Sequence, residues 1–406
     1  MRNQRYLVDM FSSKGRQLTY CTNVHPGENW NITFENLKKF VPRIKKNVSP
    51  DAPFGLGLRL SRLASQELGL GNKFSEFKDW LHHNDTYVFT MNGFPFGNFH
   101  GVSVKDKVHE PDWTTFERLD YTNLLFSQLT QLLPKGMSGG ISTSPISYKH
   151  WYTTQEKRQG ALAKGAEHMV GVALELYTIE QNSGHYLHLD IEPEPDGLLE
   201  NSAEVVDFFD DYLIPQGRVL FGDKFGLSNA ESDAAIKRYL TVCYDICHFS
   251  LAFEEPKETF KKLKAHQIQI GKIQISSALK VLFDQKDNTR VWQALSQFDE
   301  PVYLHQVTKV EAGTVITYPD LSSVLETKNE DSELRAHFHV PIFLEKFEPL
   351  YATQDHIVKV LELLKQEQIS EHLEIETYTW DVLPQALKLE LSDSIIREIK
   401  WLQKRL

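Results

Sequence analysis

The stretch TVCYDICHFS, residues 241–250, runs from a short apolar segment into Asp245, with His248 three residues on. A carboxylate and an imidazole at the end of a buried strand can hold a metal ion at the mouth of a barrel. A strand that ends in a polar turn offers the same residues. Side chains alternate between the two faces of a strand, so spacing tells which residues act together. In HYLHLDIE, Tyr186, His188, Asp190 and Glu192 lie opposite Leu187, Leu189 and Ile191. In KIQISS, Lys272, Gln274 and Ser276 lie opposite Ile273 and Ile275, and in LEIETY, Glu374, Glu376 and Tyr378 lie opposite Leu373 and Ile375. In LRAHFHVP, Arg335, His337 and His339 share a face, with Phe338 and Val340 on the other.

A buried carboxylate is paired, neutralised or bound to metal, because isolating its charge from water is very costly. Two arrangements meet that demand here. The inward carboxylates can ligate a metal, with Lys272 and Arg335 free to bind substrate. Alternatively, Lys272 and Arg335 neutralise Glu192 and Glu376 as internal salt bridges. The pair His337 and His339 can chelate a metal, or line a polar stripe beside Arg335, whose fork of donors suits an oxyanion. The spacing predicts that all three reach over the barrel mouth to the far end of a substrate. His25 in NVHPGE and His100 in NFHG follow candidate strands, and each is either a substrate contact or a surface loop residue.

These residues need elements to hold them. Strand-like runs begin near residues 19, 54, 86, 139, 186, 241, 272 and 372, and helical patterns follow most of them. Alternating strands and helices predict a parallel sheet, and eight such units predict a closed (β/α)8 TIM barrel. Its outer strand faces must be apolar against the helices, so the polar series point inward. PVYLHQVTKV, GTVITYPDL and LRAHFHVPIF break the pattern, and predict a β-rich insertion over 296–350, between strands 7 and 8, covering the barrel mouth. Residues 1–406 are then one domain, closed by a C-terminal helix over 386–406.

Composition narrows the function classes. Hydrophobic residues are 41% and charged residues 24%, as expected of a chain with a real core. The net charge of −11 opposes nucleic-acid binding. The basic KKFVPRIKK reads as the polar face of a helix. Three cysteines, Cys21, Cys243 and Cys247, form no disulfide framework and predict a reducing, cytoplasmic setting. The start of the chain shows no signal peptide, and no run is long and apolar enough for a membrane span. Neither LGLGN nor GLGLR has phosphate-loop spacing, no nucleophile elbow occurs, and Asp207, Asp210 and Asp211 read as a solvated helix face.

A Glu ending strand 5, Asp-x-x-His at strand 6, a polar residue on strand 7 and a Glu ending strand 8 resemble the xylose isomerase-like TIM barrels. The resemblance implies one divalent metal ion held by Glu192, Asp245, Gln274 and Glu376, with His248 beside it as a substrate contact. Many epimerases carry His where this chain has Gln274. An amide oxygen favours Mn²⁺ or Mg²⁺, with Zn²⁺ still possible. The implied chemistry is isomerisation or epimerisation of a small polyhydroxylated metabolite through an enediolate, with Glu192 and Glu376 trading the proton as base and acid. Phosphodiester hydrolysis fits less well, given the acidic charge and the small His set. The strings TYCTNVHPGENW, MNGFPFGNFHG, GGISTSP, KIQISSAL, RAHFHVPIF and LEIETYTWDVLP further resemble the metabolite traffic protein EboE family. That resemblance implies a role beside other proteins of one biosynthetic or traffic cluster, either catalytic or as a metabolite-binding or delivery protein.

Overall fold

A computed structural model describes residues 15–98, 104–283, 288–330, 333–384 and 388–406. Eight parallel strands form the main sheet: β1 (Gln17–Tyr20), β2 (Phe54–Arg59), β3 (Thr86–Asn92), β4 (Gly139–Thr143), β5 (Leu187–Ile191), β6 (Leu240–Asp245), β7 (Ile270–Ile275) and the strand His372–Ile375. The last of these lies between β1 and β7. A bridge from Cys21 to Gly57 joins the two ends of the sheet. Side-chain hydrogen bonds help this seam, from Gly57 N to Thr19 Oγ1 (3.0 Å) and from Arg59 N to Thr22 Oγ1 (2.8 Å). Gly57 is required there, since a Cβ would sit 1.7 Å from the Glu374 carboxylate. The expected (β/α)8 barrel is what forms, and every expected strand is present.

The helices cover the barrel with apolar stripes. In Trp30–Val48 the buried residues Trp30, Thr33, Leu37, Val41, Ile44 and Val48 recur at helical spacing, and Asn29 caps the start by accepting from Ile32 N. Lys38, Lys39 and Lys46 of the basic stretch lie exposed on its outer face. Among the described residues no helix is long and apolar enough to cross a membrane.

A second, antiparallel sheet lies between β7 and the last barrel strand. It comprises β8 (Ala278–Leu282), β9 (Val307–Glu311), β10 (Thr314–Tyr318), β11 (Glu333–His339), β12 (Lys346–Phe347) and β13 (Leu350–Ala352), in the order β10-β9-β11-β8-β13-β12. It starts well before residue 296, because β8 follows β7 after only Ser276–Ser277 and pairs with β11 and β13. The final barrel strand is therefore β14 (His372–Ile375). Strand β11 carries a register shift between Ala336 and His339. A bulge of this kind breaks the two-residue alternation and re-aims side chains.

The C-terminal helix, Leu391–Gln403, is pinned to the barrel mouth by a buried carboxyl. Glu398 Oε1 accepts from Thr377 Oγ1 at 2.8 Å and from Ile342 N at 3.1 Å. Burial raises the Glu398 pKa from 4.5 to about 8 against those two hydrogen bonds. A carboxyl whose folded value is raised stabilises fully below its unfolded value, and that contribution is lost as pH rises through about 8. Glu398→Gln keeps both acceptor contacts and carries no charge. Thermal unfolding from pH 5 to 9 should show wild type losing stability faster than Glu398→Gln, with a gap on the order of a few kcal/mol at the alkaline end. Parallel curves would show that Glu398 does not titrate in this window.

Candidate metal centre and cleft

The inward faces of the barrel strands form polar layers. In the lower layers His188 Nδ1 lies 2.6 Å from Asp190 Oδ1, which also accepts from Thr241 Oγ1 at 2.5 Å. Above them Lys272, fully buried, pairs with Glu374 and donates to Ser142 Oγ at 3.2 Å. Glu374 holds the Lys272 ammonium above its ordinary pKa, although burial opposes this. Lys272 therefore neutralises Glu374 and not Glu192. It is an interior counter-charge, and the expected substrate contact is corrected on that ground.

The upper layer brings together the four expected ligands. Glu192 follows β5, Asp245 ends β6, Gln274 lies on β7 and Glu376 follows β14. One carboxylate oxygen from each of Glu192, Asp245 and Glu376 lies within 4.8 Å of the others, and all three residues are buried. The Gln274 amide Nε2 faces all three carboxylates, at 2.7 Å from Glu192, 3.1 Å from Asp245 and 2.5 Å from Glu376. An amide has two hydrogens and cannot satisfy three carboxylates. Burial, and then the neighbouring carboxylates, push Glu192 and Glu376 well above the usual range. Burial also opposes ionisation of Asp245, but the facing His248 and His339 and hydrogen bonds from Ser276 and Gln274 hold its pKa down. Glu192 Oε2 and Gln274 Oε1 are buried without a hydrogen-bond partner. Three converging carboxylates, one amide and two unmatched oxygens fit a divalent cation, which takes oxygen donors of this kind. The carboxylates are close neighbours on one centre.

Asp245 also builds its own surroundings. Its Oδ1 caps the helix Ile246–Leu251 by accepting from His248 N at 3.1 Å, and accepts from Ser276 Oγ at 2.6 Å. The Asp-x-x-His spacing is thus an N-cap and the first turn it starts, which places the His248 ring over Glu192, Nδ1 to Oε1 3.8 Å.

The centre opens into a cleft of about 610 Å³, counting its open mouth. Glu192, Glu376, His248 and His337 line it together with Asn23, Asn92, His109, Glu194, Tyr303, Gln306 and Tyr378. His337 arrives as expected, its Nε2 lying 3.1 Å from His248 Nε2. His339 lies behind it, donating Nδ1 to the Glu376 carbonyl at 2.7 Å. Burial lowers the pKa of all three, to about 4 for His339. Arg335 does not join them. Its guanidinium is held by Glu333 Oε1 and the Ser250 carbonyl, both at 2.5 Å, over the Phe253 ring. The bulge after Ala336 is the reason that it parts from the two histidines. His25 stacks on Phe40 with ring centroids 4.4 Å apart and lines a separate small pocket, so the expected substrate contact is also corrected. His100 lies outside the described residues.

Sequence reading missed Asn23 and Asn92, whose amides donate to Glu376 Oε1 at 2.7 and 3.0 Å. Asn92 ends β3 as Asp245 ends β6, and that placement was the available signal. Glu194, in the run EPEPD, was missed too. Its pKa is driven up by burial and then by Asp245, and His109 Nε2 lies 3.1 Å from it.

No protein-family model matches the sequence, and no curated protein matches it. Solved structures do. A xylose isomerase-like TIM barrel protein from Mycobacterium smegmatis, in complex with magnesium, is 8% identical with a TM-score of 0.50, covering 98% of each chain. The probable 3-DHS dehydratase AsbF from Bacillus anthracis is 12% identical with a TM-score of 0.44, over 96% of this chain and 100% of that one. The IOLI protein with a binding zinc atom is 11% identical with a TM-score of 0.45, over 95% of this chain and 96% of that one. The likeness to the M. smegmatis protein supports a (β/α)8 TIM barrel fold. At these identities the likeness is one of fold.

Removing one partner of a buried ion pair strands the other charge. Lys272→Met should therefore destabilise the protein by about 3–5 kcal/mol in denaturant unfolding. A second change, Glu374→Leu, should restore most of that loss. A Lys272→Met protein of unchanged stability would return Lys272 to the substrate-binding set.

Proposed function

We propose that the protein is a divalent-metal-dependent isomerase or epimerase of a small polyhydroxylated carbonyl compound. The observation that carries this reading is the buried trio Glu192, Asp245 and Glu376 sharing one amide at the inner end of a cleft. Oxygen donors favour Mn²⁺ or Mg²⁺ over Zn²⁺, in keeping with the magnesium held by the M. smegmatis protein. A divalent ion bound there supplies Lewis-acid polarisation of adjacent substrate oxygens.

The chain's own groups divide the remaining work. Glu376 is held in place, Oε1 by Asn23 and Asn92 and Oε2 by Gln274. Glu192 keeps Oε2 without a partner at the cleft and has a raised proton affinity, as a general base needs. Glu192 thus takes the proton from the carbon beside the carbonyl, while Glu376 is the positioned member of the pair. With Arg335 and Lys272 locked elsewhere, the substrate is read as unphosphorylated. Three buried, free cysteines accord with a cytoplasmic setting. Metabolite traffic, which the EboE-like strings alone suggest, would use the same cleft for delivery without turnover.

Metal uptake and carbon-bound proton exchange test the reading separately. Chelator-treated wild type should regain one Mn²⁺ by elemental analysis, and Glu376→Gln should not. Equal uptake in both would remove this ligand set. With a panel of aldoses and ketoses in D₂O, wild type should place deuterium beside the carbonyl of the true substrate, and Glu192→Gln should slow this by about 10²–10⁴-fold. Metal-loaded protein that binds a sugar yet exchanges nothing would be a carrier.

A further inference from the structure

Two imidazoles line the cleft beside the carboxylate centre, His248 from the helix Ile246–Leu251 and His337 from β11, and His339 of β11 lies behind them. Each is anchored through Nδ1. His248 Nδ1 bonds to the Pro193 carbonyl at 3.0 Å and His339 Nδ1 to the Glu376 carbonyl at 2.7 Å. A carbonyl only accepts, so both nitrogens carry hydrogen. His337 Nδ1 lies 2.9 Å from Gln306 Oε1. Gln306 is oriented by its own Nε2, which donates to the Pro195 carbonyl at 3.1 Å, so His337 Nδ1 carries hydrogen as well. In the neutral rings each Nε2 therefore presents a lone pair.

The Nε2 atoms of His248 and His337 face each other at 3.1 Å, with the rings nearly perpendicular at 85°. Two lone pairs at that distance repel unless a cation or a proton lies between them. Zinc–nitrogen bonds of about 2.0–2.1 Å in tetrahedral geometry place two ligating nitrogens about 3.4 Å apart, close to the spacing found. Glu194 adds a third donor. One of its oxygens and a ring nitrogen of each histidine all lie within 4.8 Å of one another, and the three residues line the cleft together. His339 Nε2, wholly buried, has no hydrogen-bond partner, and its ring centroid lies 5.9 and 5.6 Å from those of His248 and His337. Metal-bound histidines characteristically donate their other N–H to a carbonyl or carboxylate, as these rings do.

We infer that His248, His337 and Glu194 form a second cation site, distinct from the carboxylate centre, with one position open to the cleft. Its two imidazoles and single carboxylate suit Zn²⁺, whereas the neighbouring centre offers only oxygen. The site is independent of the isomerase reading: it stands on the imidazole geometry and needs no assigned substrate. Binding of free metal without any organic ligand distinguishes a metal site from one that awaits a ligand ammonium group.

The test is equilibrium dialysis of the chelator-treated full chain against Zn²⁺, with elemental analysis, and in parallel the visible absorption of Co²⁺-loaded protein. Wild type should take two Zn²⁺ per chain. His337→Gln and Glu194→Gln should each keep one and bind the other at least about tenfold more weakly. Glu376→Gln should keep the Co²⁺ band of a four-coordinate nitrogen-containing site, and His337→Gln should lose it. Should His337→Gln fail to fold by circular dichroism, Glu194→Gln decides. A wild type that takes a single Zn²⁺, unchanged in Glu194→Gln, would overturn the second site and leave the carboxylate centre standing. Two Zn²⁺ retained in both His337→Gln and Glu194→Gln would also overturn it. Two Zn²⁺ retained in Glu376→Gln would instead remove the carboxylate centre.

Discussion

A carboxylate taken out of water must find a counter-charge or give up its own, and this barrel closes over a column of them. Asp190 and Glu374 occupy the lower layers, and Glu192, Asp245 and Glu376 the upper one. The lower layers are partnered from within the chain, although Asp190 Oδ2 and Glu374 Oε1 make no hydrogen bond there. Lys272 lies against Glu374, and His188 and Thr241 against Asp190. The upper layer is not balanced, since its three acids are met by neutral donors: the amides of Gln274, Asn23 and Asn92, the Ser276 hydroxyl and the His248 backbone N–H. That imbalance is costly in a layer made only for stability, where apolar side chains of similar volume would serve as well or better. It is the expected state of a layer whose missing positive charge arrives with a ligand. The glycines nearby follow the same logic, because Gly57 and Gly271 leave room for the Glu374 and Asp190 carboxylates.

The insertion completes this layer from outside. Its strand β8 continues directly from β7, so β11 is hydrogen-bonded to an extension of the strand that carries Gln274. Short connections leave little freedom in where β11 lies. The bulge then divides its side chains, with Arg335 turned to the C-terminal end of Ile246–Leu251 and His337 to the start of the cleft. The same helix, capped by Asp245, holds His248. An acid of the candidate metal centre, a helix cap and the neighbour of an insertion histidine are thus tied by one hydrogen bond, from His248 N to Asp245. Loss of the Asp245 carboxylate would disturb all three at once.

The strands and their inward faces were legible because period-two alternation survives in β5, β7 and β14. Apolar Leu187, Leu189, Ile273, Ile275, Leu373 and Ile375 face the helices, and the polar partners have nowhere to go but inward. Glu192, Gln274 and Glu376 follow from that pattern, and their grouping with Asp245 as one ligand set came from the resemblance to the xylose isomerase-like barrels. Counter-charges were not legible: alternation shows that Lys272 points inward, not that Glu374 on the adjacent strand will reach it before Glu192 does. Arg335 was misplaced because a bulge has no compositional mark, and β11 reads as regular. His25 was misplaced because the aromatic ring it stacks on, Phe40, comes from a helix 15 positions along the sequence. Asn92 ends β3, and Asn23 and Glu194 sit just past the ends of β1 and β5, where turn preference and function use the same residue types.

The locked cations bear on what the cleft can hold. Of the basic residues that sequence offered to an anion, Lys272 is sealed beneath the centre and Arg335 is spent on Ser250, Glu333 and Phe253. Among the lining residues Lys105 is the one lysine or arginine, and it sits 2.5 Å from Asp320. Glu192, Glu194 and Glu376 all face the same space, so a phosphate or carboxylate entering it would meet three acids and, among the described lining residues, no guanidinium. Hydroxyls meet the opposite situation. Carboxylate oxygens and imidazole lone pairs are acceptors, and a polyol brings donors in quantity. On the proposed reading such a wall favours donor-rich, uncharged or cationic ligands, and a divalent ion at the carboxylate centre would supply Lewis acidity toward a carbonyl oxygen.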